Sequence, residues 1–514
     1  MPTLARVGTF LVCAMGLFTM VGALAGGGAG GPAATTTVAT KHAPSKGQKK
    51  KAKPTRSPRE LTELLRQDCG SCHGLTMKGG LGPALLPDRM ARYGKASLVA
   101  IMRNGVAHTA MPAWRDELSV AEAEFLAERL IAGLPEPEFR EAEATVAPLG
   151  LRGTGDLGCI IERASGTVVI VETTTNSILG EVTGLGDLSH ASIVFSRDQR
   201  YAYVFGRDGG LTKIDLLGRR IVRRVIQGGN SIGGAISQDG KWVAVSNYEP
   251  GGVRIFDSDT LDLVADVPAT GGSKTVGLVE APDHRFVWSL FDSDEIWVAR
   301  FRGPGDLTIH KFTEIGAKPY DAMITPDGRH YVAGLFGEDG MALIDLWDLE
   351  SGVRRVVDEQ GRGDEKLPVY KMPHLEGWAM TNAHSYLPAV GRNRVLCLDG
   401  TGFKVFDRVD VHGRPVFVVA APDGRRLWVN FAYPDNGVVQ VIDTQSRRVV
   451  KRLEPGPGVM HMEFTPKGER IWISVRDANK VEIYDAYAMT KVGELPVTKP
   501  SGIFFTHRAG QLGK

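Results

Sequence analysis

The sequence predicts a small all-α domain followed by an all-β domain, an eight-bladed β-propeller, within a chain of 514 residues. Three observations support this prediction. Apolar residues at helical spacing flank a Cys-x-x-Cys-His motif near residue 70. A turn-and-strand unit recurs with a period in the forties over the last two thirds of the chain. The 63 glycines and an aromatic content of only 7% favour many tight turns over a helical bundle.

Residues 1–26 predict a signal peptide. Arg6 supplies a positive charge, an almost unbroken apolar run follows from Val7 to Ala25, and small residues end the segment. A retained membrane anchor is the alternative, because the run approaches the length that crosses a bilayer. In either case we expect the folded domains to lie in the periplasm.

Residues 27–57 predict a disordered basic linker, since they hold almost no bulky apolar side chain. Eight Lys and Arg residues lie between Lys41 and Arg59. Without them the formal net charge of +2 becomes −6 (2 − 8), so the folded part is mildly acidic. The charge therefore gives no reason to expect nucleic-acid binding, and a solvated tether is favoured over contact with anionic lipid or an acidic partner.

The segment Cys69-Gly70-Ser71-Cys72-His73 is the attachment signature of c-type haem. The two thiols form thioethers to the porphyrin, and His73 binds the iron from one side. A redox dithiol or half a zinc site is the alternative, but a zinc site would need a second closely spaced cysteine pair, which the sequence lacks.

The flanks of this motif favour haem. Helical spacing precedes it, a glycine-rich loop follows over residues 79–85, and a last helix opens with the capping box Ser119–Glu122. This order is that of a small class I cytochrome c domain, here residues 58–135. Met111, before Pro112, resembles the usual sixth ligand of the iron, and His108 is the alternative. The remaining Cys159 and Cys397 form either a disulfide or two buried free thiols.

We expect a linker over residues 136–157 and the propeller over residues 158–514. Each repeat contains a polar turn, a short apolar strand, a second turn and a strand that ends in Asp or an aromatic residue. The first turns of the repeats are residues 196–198, 237–240, 281–283, 325–328, 421–424 and 465–468. Residues 390–407 and 160–172 supply two further units, which gives eight blades, with seven as the alternative. A propeller offers a central seat for a flat ligand but specifies no reaction.

Its layout and several segments are similar to those of the cytochrome cd1 nitrite reductase-like family, which includes proteins of haem d1 biosynthesis. The segment from His190 to Leu216 resembles the region that holds the proximal iron ligand, which implies that His190 binds the iron of a d1-type haem. Other segments look more like the biosynthetic branch; they are residues 152–158, 318–337, 412–417, 461–466 and 500–505. Because Cys69, Cys72 and His73 are present, the haem c-bearing dihydro-haem d1 dehydrogenase is a closer match than a haem-less d1-binding protein.

One departure from the reductase counts against nitrite reduction. The reductase has two histidines over the distal face of its d1 haem, one of them before a proline on a blade turn. The approximately matching turn here is Ala421-Pro422-Asp423, without histidine, and His374 approximates the other.

The resemblance implies oxidation of dihydro-haem d1, in which a ring propionate becomes an acrylate and haem c passes electrons to a soluble periplasmic acceptor. The pathway would serve denitrification, with nitrite reductase or other d1 assembly proteins as partners. A nitrite reductase and a haem d1 carrier or assembly protein are the alternatives.

The same resemblance assigns roles in the d1 site. His190 is the proximal iron ligand, His461 the distal ligand, His374 the base, and His412 a reserve for either of the last two roles. Arg163 and Arg207, with Arg392 or Arg394, would bind ring carboxylates, because a planar guanidinium matches a carboxylate. Tyr248 and Trp378 would pack on the ring.

Overall fold

The computed structural model describes residues 56–106, 109, 111–142, 149, 157–358, 360, 379–381, 383–389, 392–400 and 402–513. The chain from Thr55 to Lys514 forms one compact unit. The predicted signal peptide and nearly all of the basic linker lie outside the described residues, as do His108, His374 and Trp378. Among the helices described, none has the length and apolar character needed to cross a membrane.

The first part of this unit is helical. Its helices are α1 Pro58–Leu64, a wider π-helical turn Leu65–Cys69, α2 Gly70–His73, α3 Pro87–Asn104 and α4 Val120–Ala132. Capping boxes start α1 at Ser57 and α4 at Ser119, the second as predicted. Their apolar faces meet in one core, whose fully buried members are Leu61, Leu64, Leu65, Met77, Met90, Leu98, Met102, Leu118, Leu126, Ala127 and Leu130.

The described strands form eight four-stranded antiparallel sheets, which confirms the eight-bladed propeller. Blade 1 contains β1 Leu157–Glu162, β2 Thr167–Glu172, β3 Ser177–Val182 and the last strand, β32 Pro500–Phe505. Blade 2 contains β4 Ser192–Phe195, β5 Tyr201–Phe205, β6 Gly210–Asp215 and β7 Arg220–Ile226. Blade 3 contains β8 Asn230–Ile236, β9 Trp242–Glu249, β10 Gly252–Asp257 and β11 Leu263–Val267. Blade 4 contains β12 Thr275–Ala281, β13 Arg285–Leu290, β14 Glu295–Gly303 and β15 Asp306–Phe312.

Blade 5 contains β16 Pro319–Ile324, β17 His330–Leu335, β18 Met341–Asp345 and β19 Val353–Val356. Blade 6 contains β20 Ala379–Met380, β21 His384–Ala389, β22 Arg394–Asp399 and β23 Val405–Asp410. Blade 7 contains β24 Pro415–Ala420, β25 Arg426–Phe431, β26 Val439–Asp443 and β27 Arg448–Leu453. Blade 8 contains β28 Val459–Phe464, β29 Arg470–Val475, β30 Lys480–Asp485 and β31 Thr490–Pro496. Short 3₁₀ turns lie at Thr270–Gly272, Leu349–Ser351, Arg476–Ala478 and Thr506–Gly510.

Burial differs between the strands of a blade. Most residues of the second strands are buried between neighbouring blades, as in β13, whereas β7 at the rim is mostly exposed. The last strand, β32, pairs with β1 and closes the ring. Cys159 and Cys397 are free, buried thiols on blades 1 and 6, so the disulfide alternative is wrong.

The connectivity defines two faces of the propeller. The strand of each blade that lies nearest the central channel is called the inner strand. It is the first strand of blades 2 to 8 and β32 in blade 1. All inner strands therefore begin at one face of the propeller and end at the other. We call these the upper face and the lower face. The turns between second and third strands lie at the upper face, and the turns between first and second strands lie at the lower face.

Candidate functional site

The Cys-x-x-Cys-His motif lies where the π-helical turn meets α2. Cys69 and Cys72 are free thiols, and burial raises the pKa of Cys69 to about 12. The His73 side chain is buried, and its Nδ1 lies 2.7 Å from the carbonyl oxygen of Pro83. Burial also lowers the pKa of His73, so the imidazole is neutral. With Nδ1–H donating to Pro83, Nε2 is the atom that would bind iron.

The surroundings of the motif fit a covalently bound haem. A Cβ atom on Gly82 would lie 2.5 Å from Cε1 of His73, so only glycine allows the loop to pass this close to the imidazole. Met111 packs against the apolar core beside the motif. Met77, Met90 and Met102 are buried in the same core, and the sequence analysis considered none of them. Thiols, a neutral imidazole and nearby thioethers are the donors that c-type haem requires.

Arg207 lies in the upper-face turn between β5 and β6 and reaches the loop after the motif. A Cβ atom on Gly80 would lie 2.0 Å from Nη1 of Arg207 and 2.6 Å from the carbonyl oxygen of Cys72. The Arg207 guanidinium lies 5.4 Å from the centre of the Tyr248 ring, and the Tyr248 hydroxyl is 3.1 Å from that of Tyr320. Arg207 is 5% exposed, and its Nε and Nη1 have no partner among the described residues.

Arg163 lies in the corresponding turn of blade 1, between β1 and β2, and is 1% exposed. Its Nε and Nη2 also lack a hydrogen-bond partner within the described part of the chain. Burial and the charge of Arg476 lower its pKa to about 9, with Asp68 and Asp187 acting in the opposite direction. A buried guanidinium without a carboxylate partner is costly. An anionic ligand at this position would remove that cost.

His190 lies on the connection that enters β4 beside Arg207. On that connection the carbonyl oxygen of Asp187 accepts a hydrogen bond of 2.8 Å from the Arg207 backbone. The Ser189 backbone donates to Oδ1 of Asp187 at 2.9 Å, and burial raises the pKa of Asp187. The structure therefore brings Arg163, Arg207, Tyr248 and the His190 connection to one region of the upper face, next to Cys72.

His461 lies within the inner strand β28. Its ring packs between those of Phe504 and Phe417, with both centroid distances 5.6 Å. Its Nδ1 accepts a hydrogen bond of 3.2 Å from the backbone N–H of Ile503. In the neutral ring the proton is therefore on Nε2, which can donate a hydrogen bond to a ligand. Binding of an iron at Nε2 would require loss of that proton or of the Ile503 hydrogen bond.

Three other predicted residues lie on blades 6 and 7, away from the blades of Arg163 and Arg207. His412 is on the connection from blade 6 to blade 7, where its Nδ1 lies 2.9 Å from Nη1 of Arg452 and its Nε2 lies 3.5 Å from Oδ1 of Asp435. Arg394, on blade 6, donates to Oδ1 of Asp410 at 2.5 Å. Arg392 is exposed in the upper-face turn of the same blade.

The turn Ala421-Pro422-Asp423, compared above with a histidine-bearing turn of the reductase, connects β24 to β25. It lies at the lower face, at the opposite end of the blade from the turns that carry Arg163 and Arg207. The match of this turn to the histidine-bearing turn of the reductase stays a prediction from the sequence.

Sequence reasoning missed Arg476 and its partner Asp68, which lie beside Arg163. The repeats nevertheless contain a sequence pattern that could have identified Arg476. Arg163, Arg207 and Arg476 all follow the second strand of their blade, in the segments Glu162-Arg163, Gly206-Arg207-Asp208 and Val475-Arg476-Asp477. Aligning the blades by strand would have placed these three guanidiniums at one height on neighbouring blades.

Comparisons with known proteins agree with this two-part architecture. The family described as "Cytochrome D1 heme domain" matches residues 152–509, and the one described as "Cytochrome C oxidase, cbb3-type, subunit III" matches residues 56–128. "Protein NirF" of Pseudomonas aeruginosa is 61% identical over 369 residues, which are 71% of this chain and 94% of the relative. "Cytochrome c55X" of the same organism is 50% identical over 74 residues, 14% of this chain and 62% of the relative.

A solved structure is similar over nearly the whole chain. It is described as "Dihydro-heme d1 dehydrogenase NirN in complex with DHE", and it aligns with a TM-score of 0.62 at 26% identity, covering 88% of this chain and 100% of that one. The fold, the match over residues 152–509 and the relative at 61% identity lead to one conclusion. This chain belongs to the cytochrome D1 heme domain family and carries a c-type cytochrome domain ahead of the propeller.

Proposed function

We propose that this protein binds dihydro-haem d1 at the upper face of its propeller and oxidises it to haem d1, in haem d1 biosynthesis. The observation that carries the proposal is the position of the haem c motif against an upper face where Arg163 and Arg207 are buried with no carboxylate partner in the described part of the chain. In the reaction the –CH₂–CH₂– of a ring propionate becomes –CH=CH–, and the substrate loses two protons and two electrons.

The two guanidiniums would bind carboxylates of the tetrapyrrole. Each has two or more N–H groups that can donate to the two oxygens of one carboxylate. Because both side chains are buried, these charge-assisted bonds would form in a medium of low dielectric constant, where they are stronger than at a surface. Tyr248, which already packs against Arg207, would border the ring, and Trp378 would pack on it.

The histidines keep the roles that the resemblance implies. His190 would bind the substrate iron, His461 would be its distal ligand once the proton on Nε2 is lost, and His374 would take a proton from the propionate chain. His412 has ring nitrogens near Arg452 and Asp435. It stays the alternative to His461 as distal ligand and to His374 as base. Haem c, held by Cys69, Cys72 and His73 with Met111 or His108 as sixth ligand, would accept electrons one at a time and pass them to a periplasmic acceptor.

The proposed domain boundaries and cellular location are those expected from the sequence. A signal peptide over residues 1–26 would export the chain to the periplasm, with the cytochrome domain at residues 58–135 and the propeller at residues 158–514. Similarity to the solved structure of a dihydro-heme d1 dehydrogenase in complex with DHE supports the choice of substrate.

The test is a single-turnover experiment without oxygen. Purified protein with oxidised haem c is mixed with dihydro-haem d1 at two or more equivalents of protein per substrate, because the reaction releases two electrons and each haem c accepts one. The products are followed by mass spectrometry and visible absorption. We expect a tetrapyrrole with two hydrogens fewer together with reduced haem c. His374→Ala should bind the substrate without producing either signal. Binding by the unaltered protein without product would overturn the proposal.

A carrier or assembly function is the second candidate. The 61% identity to NirF, which covers 94% of that relative, favours it. A carrier would bind haem d1 as tightly as dihydro-haem d1, leave both unchanged, and transfer haem d1 to apo-nitrite reductase in a mixing experiment. Release of nitric oxide from nitrite by the reduced protein would instead indicate a nitrite reductase.

A further inference from the structure

The helix that carries the haem cysteines contacts blade 8 through a buried arginine. Arg476 begins the 3₁₀ turn after β29 and is 3% exposed. It donates to both carboxylate oxygens of Asp477, with Nε 2.9 Å from Oδ1 and Nη2 2.8 Å from Oδ2. Because both bonds lie in the plane of the guanidinium, Asp477 fixes its orientation.

The other edge of the Arg476 guanidinium faces the cytochrome domain. Its Nη1 and Nη2 lie 3.4 and 3.3 Å from Oδ1 of Asp68, and Nη2 lies 3.5 Å from Oδ2. Asp68 immediately precedes Cys69 in the chain. Its side chain is 17% exposed, and burial raises its pKa while the charge of Arg476 acts against that rise. The pair is thus largely shielded from water on both sides.

Arg207 also reaches the loop after the haem cysteines, at Gly80, but no carboxylate of the cytochrome domain pairs with it among the described residues. Other interdomain contacts lie further from the haem cysteines in the sequence. On blade 7, Tyr433 accepts a hydrogen bond of 2.7 Å from Nη1 of Arg56 and packs 5.9 Å from Trp114. Beside the buried pair, Lys499 lies 3.3 Å from Glu63, but both of these side chains are partly exposed. Solvent screens such a pair, so it contributes little. Among the described residues, only the contact of Arg476 with Asp68 combines burial, opposite charge and direct linkage to a haem-binding residue.

We propose that Arg476, oriented by Asp477, is a positioning residue that fixes the haem-attachment helix at Asp68 and so sets the position of haem c over the upper face. Without Arg476, Asp68 would be a buried carboxylate that has lost its hydrogen-bonded cation and keeps only the charge of Arg163 nearby, and breaking a buried ion pair in this way is strongly unfavourable. The end of the helix would then move toward water, and haem c would move with it. This inference depends on covalent haem c alone and not on the identity of the substrate.

The experiment measures the position of haem c directly in the full chain. A nitroxide is attached at Leu263→Cys or, in a second sample, at Val492→Cys, both on exposed side chains. The native Cys159 and Cys397 are fully buried and should not react with the label. Pulsed electron paramagnetic resonance then gives the distance distribution between the oxidised haem c iron and the nitroxide. We expect one narrow distribution at each position.

Arg476→Gln and Asp68→Asn should each broaden or shift both distributions, and Arg476→Lys should restore part of the narrow component. Arg329→Gln is the matched control, since it removes an arginine pair with Asp345 that lies within blade 5; it should leave the distributions unchanged. The haem c spectrum and the unfolding midpoint establish that each variant is folded. If Arg476→Gln does not fold, the isosteric Asp68→Asn decides alone. Unchanged distributions in the folded variants would overturn the proposal.

Discussion

Arg163 carries a charge at 1% exposure with two nitrogens that have no partner among the described residues. We expect Arg163→Met to weaken binding of the tetrapyrrole and to stabilise the ligand-free protein, because the variant removes a buried charge and keeps an apolar stem. A lost hydrogen-bonding charge contributes ~1.5–3 kcal/mol, which corresponds to a loss in affinity of roughly 10- to 100-fold. Spectroscopic titration gives the affinity, and thermal unfolding gives the stability.

The matched control for this prediction is Arg200→Met. Arg200 is half exposed and pairs with Asp215 at 3.1 Å, in the lower-face turn of blade 2. We expect it to leave affinity unchanged and to lower stability only slightly. Asp215 is buried, but it would keep the hydrogen bond from the Gly218 backbone and the nearby charge of Arg220. Equal affinity of the Arg163→Met protein and the unaltered protein would refute a role for Arg163 in ligand binding.

Met111 and His108 compete for the sixth position of haem c. If Met111 is the ligand, Met111→Ala removes the near-infrared charge-transfer band of methionine-bound ferric haem and lowers the reduction potential, because thioether ligation raises it. His108→Ala then leaves both properties intact. Absorption spectra and redox titration test this. A band that survives in Met111→Ala would point to Met77, Met90 or Met102, which are buried in the same core.

Residues within one local motif were predictable, whereas residues joined across the chain were not. Cys69, Cys72 and His73 lie within five positions, so the motif is visible in the sequence alone. Asp68 and Arg476 are 408 positions apart. Nothing local distinguishes either from an ordinary solvated side chain, and only the folded ring brings them together.

At the scale of elements, β12 ends at a buried carboxylate, Glu280, that helps to hold the C-terminal tail. Its Oε1 accepts a hydrogen bond of 3.1 Å from the Gly513 backbone, and Arg197 lies 3.5 Å away. Burial raises the pKa of Glu280 from its ordinary 4.5 to about 7. The folded state therefore favours the protonated form.

The sign of the resulting pH dependence follows from linkage. The stability contributed by protonated Glu280 is fully present below about pH 4.5 and is lost as the pH rises through about 7. The raised pKa corresponds to ~3 kcal/mol of unfolding free energy. We expect Glu280→Gln to remove this part of the pH dependence between pH 5 and pH 8, measured by chemical denaturation. The exposed Glu350→Gln should retain it, and an unaltered slope in Glu280→Gln would contradict the assignment.

Elements bounded by strong turn signals were also predictable. The turns at residues 237–240, 325–328 and 465–468 each separate an inner strand from its second strand, as the repeat indicated. Which end of the blade faces the cytochrome domain was not predictable, because both ends of a strand carry polar turns. The Ala421-Pro422 turn is an example, since nothing in its sequence shows that it lies at the lower face.

At the scale of the whole molecule, the eight-bladed ring followed from repetition, since every copy of the unit repeats the same local pattern. The docking of the cytochrome domain could not be predicted from this repetition, because the side chains that hold the domain are single residues on different blades. Arg207, Tyr433 and Arg476 come from blades 2, 7 and 8 and meet the helical domain only when the ring is closed. The closure of the ring therefore determines the site as well as the fold.

That dependence can be tested by removing the strand that closes the ring. Deletion of residues 500–514 removes β32, whose Ile503, Phe504 and Phe505 are buried against blades 1 and 8. Burial of one large apolar side chain contributes about 1.5–3 kcal/mol, so three of them, together with the backbone pairing to β1, approach the roughly 5–15 kcal/mol that stabilises a typical domain. We expect the propeller to unfold at a far lower denaturant concentration, with the fluorescence of the buried Trp288, Trp428 and Trp472 reporting the loss of structure.

The control is deletion of residues 512–514 alone. It removes the Gly513 contact but keeps β32, and it should shift the unfolding midpoint only slightly. Similar midpoints for the two deletions would show that the ring does not depend on its last strand.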